Sequence, residues 1–172
     1  VTTGTENVLI GQGCGDALTD ADFNVAIGTG ALSADTLGSR SVAIGRNALL
    51  SQNFTTATSV NNTAVGYEAG RSTTTGIDNV LYGSNAGYAL TDADDNVALG
   101  RSALATQNFT TATNSYNTAI GFSTGQTITT GVQNTLIGSN NAIDLISGNY
   151  NTTLGYLALY EDQYGSNSVA VQ

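Results

Sequence analysis

Carboxylates are the side chains of this sequence best suited to chemistry. Thirteen Asp and Glu stand against four Arg, with no Lys and no His, for a formal net charge of -9. Asp20 and Asp22 share one loop, and Asp92, Asp94 and Asp95 share another. Two carboxylates on a loop could flank a glycosidic bond, one as acid and the other as base or nucleophile, as in some tailspike glycosidases. Asp92, Asp94 and Asp95 also gather the hard oxygens that calcium takes as ligands. The commoner use of Asp in such loops is to accept bonds from nearby backbone N–H groups. The EF-hand spacing and the GGxGxDxUx repeat of calcium rolls are both absent. The expectation is therefore no catalytic residue, no metal and no cofactor. Without His, the Ser-His-Asp and Cys-His arrangements and zinc His clusters have no members. Cys14 is the only cysteine, so no intrachain disulfide forms and its sulfur is read as packing.

What must hold these loops in place is a repeat. The pentapeptide Asn117-Thr118-Ala119-Ile120-Gly121 has counterparts beginning at Asn7, Asn24, Ser41, Asn62, Asn79, Asn96, Asn134, Asn151 and Ser168. The steps between first residues are 17, 17, 21, 17, 17, 21, 17, 17 and 17. A fixed period of this length filling a chain marks a solenoid. The fold class expected is all-β: a parallel β-solenoid, or β-roll, of about nine coils and about 43 Å, in one domain spanning residues 1–172.

Each pentapeptide alternates with the period of a strand. Its second and fourth positions carry β-branched and apolar residues such as Val8 and Ile10, Val42 and Ile44, or Val97 and Leu99, and this face is expected to look into the coil. The third position, Ala26, Ala43, Ala64, Ala98 and Ala119 among others, then falls on the outer face. Glycine at the fifth position marks a corner where φ is positive or backbones pass closely. The leading Asn or Ser either stacks into a ladder of side-chain amides along the solenoid or closes a local Asx turn. After each corner a small residue followed by Gly or Leu, as in Ala31-Leu32 and Ala69-Gly70, supplies a second inner wall.

Composition narrows the partners. Charged residues make up 10% of the chain and proline is absent, as suits stacked short strands in which nearly every N–H has a partner. With four Arg and no Lys there is no basic patch, which argues against nucleic acid and against an anionic membrane surface. No apolar run approaches a membrane span and no signal-peptide pattern opens the chain. Val1-Thr2-Thr3-Gly4 matches the turn preceding Asn79, so the sequence is expected to be a segment of a longer fibre.

Two coils carry four extra residues. Gln52-Asn53-Phe54-Thr55-Thr56-Ala57-Thr58 returns almost unchanged as Gln107-Asn108-Phe109-Thr110-Thr111-Ala112-Thr113. Lying three coils apart, the two loops should project from one face about 14 Å from each other. Loops on one face of a solenoid often bind, so Gln52 to Thr56 and Gln107 to Thr111 are the candidate binding residues. The alternative is that Phe54 and Phe109 fold back over neighbouring coils. Tyr150, Tyr156, Tyr160 and Tyr164 crowd the last coils, as packing or as a recognition patch.

The strands Ser41-Val42-Ala43-Ile44-Gly45, followed by Ala48, and Asn117-Thr118-Ala119-Ile120-Gly121 resemble the head repeats of trimeric autotransporter adhesins. They are similar also to NTAIG-type repeats of phage tail-fibre proteins. The resemblance spans essentially all 172 residues, although coils of 17 or 21 residues are longer than the adhesin repeat. It implies a left-handed β-roll, a homotrimer and a place outside the cell, on a cell surface or a virion. Trimerisation follows also from the residues, because a row of outward apolar side chains needs a partner surface. That row is expected to be Ala26, Ala43, Ala64, Ala98 and Ala119. The function expected is a non-enzymatic attachment or spacing segment whose partners are its own copies and a cell-surface glycan or protein. An ice-binding solenoid, suggested by the threonines, and a polysaccharide-degrading enzyme are the rival readings.

Overall fold

A computed structural model describes all residues, Val1 to Gln172. It contains no helix; every regular element is a strand of two or three residues. Ten strands, one per pentapeptide from Val8–Ile10 to Val169–Val171, stack in chain order into a single parallel sheet. The protein is a parallel β-solenoid. Register is strict: Val25 lies beside Val42, Ala26 beside Ala43 and Ile27 beside Ile44, and the four-residue insertions do not disturb it. Each insertion adds a short parallel pair of its own, Gly38–Ser39 with Thr58–Ser59 and Ala93–Asp94 with Thr113–Asn114.

The core reverses the expected facing of the strands. Ala26, Ala43, Ala64, Leu81, Ala98, Ala119 and Leu136 are fully buried within the single chain. The β-branched positions beside them face out, with Val8, Ile10, Val80, Tyr82, Leu99 and Leu154 between 43% and 58% exposed. Because strand side chains alternate with period two, an assignment wrong by one position is wrong for every residue of the face. Coil width explains the outcome. The middle strand residue packs against Ala31-Leu32, Ala48-Leu49 and their counterparts in one core, and that narrow space admits Ala or an occasional Leu.

Corners are built from left-handed residues. The fifth-position glycines lie near φ +130°, and a Cβ on Gly11 would sit 2.8 Å from the Gly28 carbonyl carbon, so stacked corners admit no side chain. Non-glycine residues take positive φ at three other corners of the coil, as Phe23, Arg40 and Asp95 do just before the strand. Non-Gly residues rarely adopt this conformation. Here it recurs coil after coil because the inter-coil hydrogen bonds fix the backbone path.

The leading Asn residues form a ladder. Asn62 Oδ1 accepts from the backbone N–H and side-chain amide of Asn79, and Asn79 Oδ1 does the same for Asn96. The Asn79 amide also donates to the Ala93 carbonyl, and the Asn117 amide to Gly131. These polar side chains are buried without leaving their donors unmet, which is the condition for burying an amide at all.

Candidate functional site

The ladder has a gap at Ser41, whose hydroxyl is too short to replace an Asn, and the first long loop fills it. Gln52 is fully buried. Its Nε2 donates to Asp35 Oδ2 at 2.6 Å and to Ser41 Oγ at 3.0 Å, and its Oε1 accepts from Asn62 Nδ2 at 3.0 Å. Asp35 Oδ1 takes the Phe54 and Gly38 N–H groups, both at 3.0 Å. Phe54 is 8% exposed. Two of the five candidate binding residues in this loop, Gln52 and Phe54, thus point into the molecule. Asn53, Thr55 and Thr56 remain exposed.

In the second loop Gln107 is also fully buried and Phe109 is half-buried against the core. Asn108, Thr110 and Thr111 are exposed. Leu90 stands where Asp35 does and Asn96 where Ser41 does, 55 residues on. Ser115, in the place of Val60, gives its hydroxyl to Asn96 Oδ1 and the Asp94 carbonyl. Neither Nε2 nor Oε1 of Gln107 finds a hydrogen-bond partner.

The acidic loops bind their neighbours. Asp20 accepts from the Thr3 hydroxyl, Asp22 from the Thr5 N–H and hydroxyl, and Asp92 from the Thr75 hydroxyl. Asp94 accepts the Ile77 N–H and Asp95 the Asn114 amide. No group of three acidic or other metal-ligating side chains converges in a way that could hold an ion, so Asp92, Asp94 and Asp95 do not assemble a calcium site. Burial holds the Asp94 carboxyl above its ordinary range; the Ile77 N–H opposes this, and the charges of Asp95, Asp78 and Asp92 add to it.

Three features went unseen in the sequence. First, the proposed interface row Ala26, Ala43, Ala64, Ala98 and Ala119 lies inside the coil, fully buried in one chain. The outward apolar row is instead the one through Val8, Ile10, Val80, Tyr82, Leu99, Ile137 and Leu154. The size difference between the two rows was the signal that could have found it. Second, all four Arg side chains lie over aromatic rings of adjacent coils: Arg40 over Phe23, Arg46 over Tyr67, Arg71 over Tyr88 and Arg101 over Phe122. Matching positions in successive repeats reveal these pairs. Third, a cleft of about 220 Å³ opens beside the first long loop, lined by Asp22, Phe23, Ser39, Arg40, Thr58 and Ser59. It is visible only once the loop is folded.

The architecture defines the class as an all-β solenoid repeat protein. The chain has no match among protein-family models, curated proteins or solved structures.

Proposed function

We propose that this chain is a non-enzymatic segment of an extracellular attachment fibre in which three copies associate side by side. The observation that carries the reading is the outward apolar row. Val80, Tyr82, Leu99, Ile137 and Leu154 lie in register on one sheet and are each at least 37% exposed. Covering such side chains contributes about 1.5–3 kcal/mol for each one fully buried. Three copies about a common axis would cover the row in every chain. The similarity of the NTAIG strands to trimeric adhesin heads and tail fibres supports the same arrangement. So does the use of Asp20, Asp22 and Asp92 as acceptors for the preceding coil, which leaves the carboxylates with structural work.

Sedimentation equilibrium at micromolar concentration tests the association. Three chains are expected, and Leu99→Asp, which puts a charge on the row, should reduce them to one. A native chain that sediments as a monomer overturns the trimer. Adhesion of the purified chain to host or target cells, without release of reducing sugar, tests attachment.

One observation favours a second reading, ice binding. Thr118, Thr135 and Thr152 occupy the same position in three consecutive strands and stack in register on the outer sheet face. Thermal hysteresis in the native chain, lost in Thr135→Tyr, would favour this reading over attachment.

A further inference from the structure

The cleft beside the first long loop holds an unusual set of unmet groups. Arg40 is one of only four basic side chains in a chain of net charge -9. Arg46 and Arg71 give hydrogen bonds to the Tyr67 and Tyr88 hydroxyls, and Arg71 also pairs with Glu68. The Arg40 guanidinium, like that of Arg101, has neither a hydrogen bond nor an ion pair, and of the two only Arg40 lines the cleft. Its guanidinium lies 5.8 Å from the centre of the Phe23 ring, itself 46% exposed, and both line the cleft.

Around this pair the polar groups are directed and partly unused. Asp22 spends Oδ1 on Thr5, which leaves Oδ2 as an acceptor. Ser39 Oγ accepts the Asp22 N–H, and the Thr58 hydroxyl donates to the Thr56 carbonyl. Ser59 is exposed with its hydroxyl unpaired.

A guanidinium selects a carboxylate or phosphate through paired N–H donors. A simple anion would also meet the charge of Asp22 close by. A ligand that turns a carboxylate toward Arg40, hydroxyl donors toward Asp22 Oδ2 and Ser59, and an apolar C–H face toward Phe23 satisfies all of these groups together. The cleft's 220 Å³ is below the usual range for drug-sized ligands, roughly 300–1,000 Å³, and suits one ring. We propose that this cleft binds a single carboxylated sugar residue of the hexuronate kind, through Arg40, Asp22 and Phe23. This gives the attachment reading a ligand class, and its biological use rests on that reading.

The second long loop shows what the site depends on. Its sequence is nearly the same, but Asp78, Asp94 and Asp95 stand where the first has Phe23, Ser39 and Arg40. Anions are repelled there, so one ligand per chain is expected.

Titration of the nitrogen-15-labelled chain with D-glucuronate, D-glucose and acetate tests the assignment. Glucuronate should shift the amides of residues 22–23, 39–40 and 58–59 with a dissociation constant of about a millimolar, and glucose and acetate should each bind at least tenfold more weakly. Arg40→Gln should cost at least tenfold in glucuronate affinity, and Arg101→Gln should change nothing. Gln133 occupies the same corner of a later coil, also at positive φ, so Gln at position 40 keeps the fold. Acetate binding as tightly as glucuronate overturns the sugar assignment. Undiminished binding in Arg40→Gln, or no saturable shift with glucuronate, overturns the site. The measurement uses the protein alone, so its failure leaves cell attachment standing, and failed cell attachment leaves the cleft standing.

Discussion

The two long coils carry nearly the same seven-residue loop on opposite footings. Around residues 52–58 the buried Gln52 amide joins Asp35, Ser41 and Asn62, and every polar atom of that amide is met. Around residues 107–113 the same Gln is buried with its amide unmet, because Leu90 has replaced the carboxylate and Ser115 already holds Asn96 Oδ1. At the corners the contrast is one of charge: Arg40 beside Phe23 in the first, Asp78, Asp94 and Asp95 in the second. A loop sequence therefore does not fix its own energetics. The residues one coil below it decide whether its buried polar group is a link or a cost.

The largest effect is expected from breaking the satisfied network. Asp35→Ala strands the Gln52 amide and the Phe54 and Gly38 N–H groups in the core. An unmet buried polar group costs about 1–3 kcal/mol, and the losses here share one cavity. A destabilisation of about 3–4 kcal/mol is expected by urea unfolding. A loss below about 1 kcal/mol would show that water replaces the carboxylate.

Next in size, and opposite in sign, is the matching change in the second loop. Gln107→Leu removes an amide without partners while keeping most of the volume, so a gain of about 1–2 kcal/mol is expected. Gln52→Leu, the same substitution three coils earlier, should instead destabilise by about 2–3 kcal/mol, since it leaves Asp35 Oδ2 and Ser41 Oγ unpaired, while Asn62 Nδ2 keeps the Gly76 carbonyl. Equal effects at the two positions would dissolve the contrast.

Much of this architecture was legible from residue types alone. The pentapeptide period gave the parallel stack and its register because a repeating backbone repeats its hydrogen bonds, and Asn62 to Asn96 form the ladder that the leading Asn suggested. The facing of the strands was not legible from hydrophobicity, since both rows are apolar. Only the room inside the coil, which depends on Leu32 and Leu49 opposite Ala26 and Ala43, settles which row enters. Phe54 and Gln52 looked like a binding tip because their partner Asp35 lies 17 residues before Gln52 and belongs to another coil. The cleft at Arg40 joins three successive coils, a proximity that spacing implies but chemistry alone does not mark.

The acidic corner should make the second loop sensitive to pH. With its carboxyl raised by burial and by Asp95, Asp78 and Asp92, Asp94 binds its proton more tightly in the folded chain than in the unfolded one. Its favourable contribution is complete below the unfolded carboxyl value, about 3.9, and is lost as pH rises through the folded value above it. Asp94→Asn keeps an acceptor for the Ile77 N–H and removes the charge. Its melting temperature should rise relative to native protein as pH goes from about 3 to about 7, by less than the gain from Gln107→Leu. Ser39→Ala at the matching corner of the first loop, a change that removes no ionisable group, should show a difference from native that varies less with pH. If Asp94→Asn behaves likewise, the acidic corner is screened by solvent.

Smallest of all should be the effect of the loop tips on stability. Thr55, Thr56, Thr110 and Thr111 are exposed in both loops, and their hydrogen bonds run through backbone carbonyls, Thr56 to the Thr58 hydroxyl and Thr111 to the Thr113 hydroxyl. Those carbonyls survive any side-chain change. Thr→Ser at all four positions, which removes a methyl and keeps each hydroxyl, should stay within about 0.5 kcal/mol of native in both loops. This is the one comparison in which the loops should agree, because the tips lie beyond the buried Gln and the charged corner that separate them. The same variant carries a functional readout. Six tips in a trimer would multiply a weak contact through effective concentration, so cell attachment lost at unchanged melting temperature would assign binding to the tips.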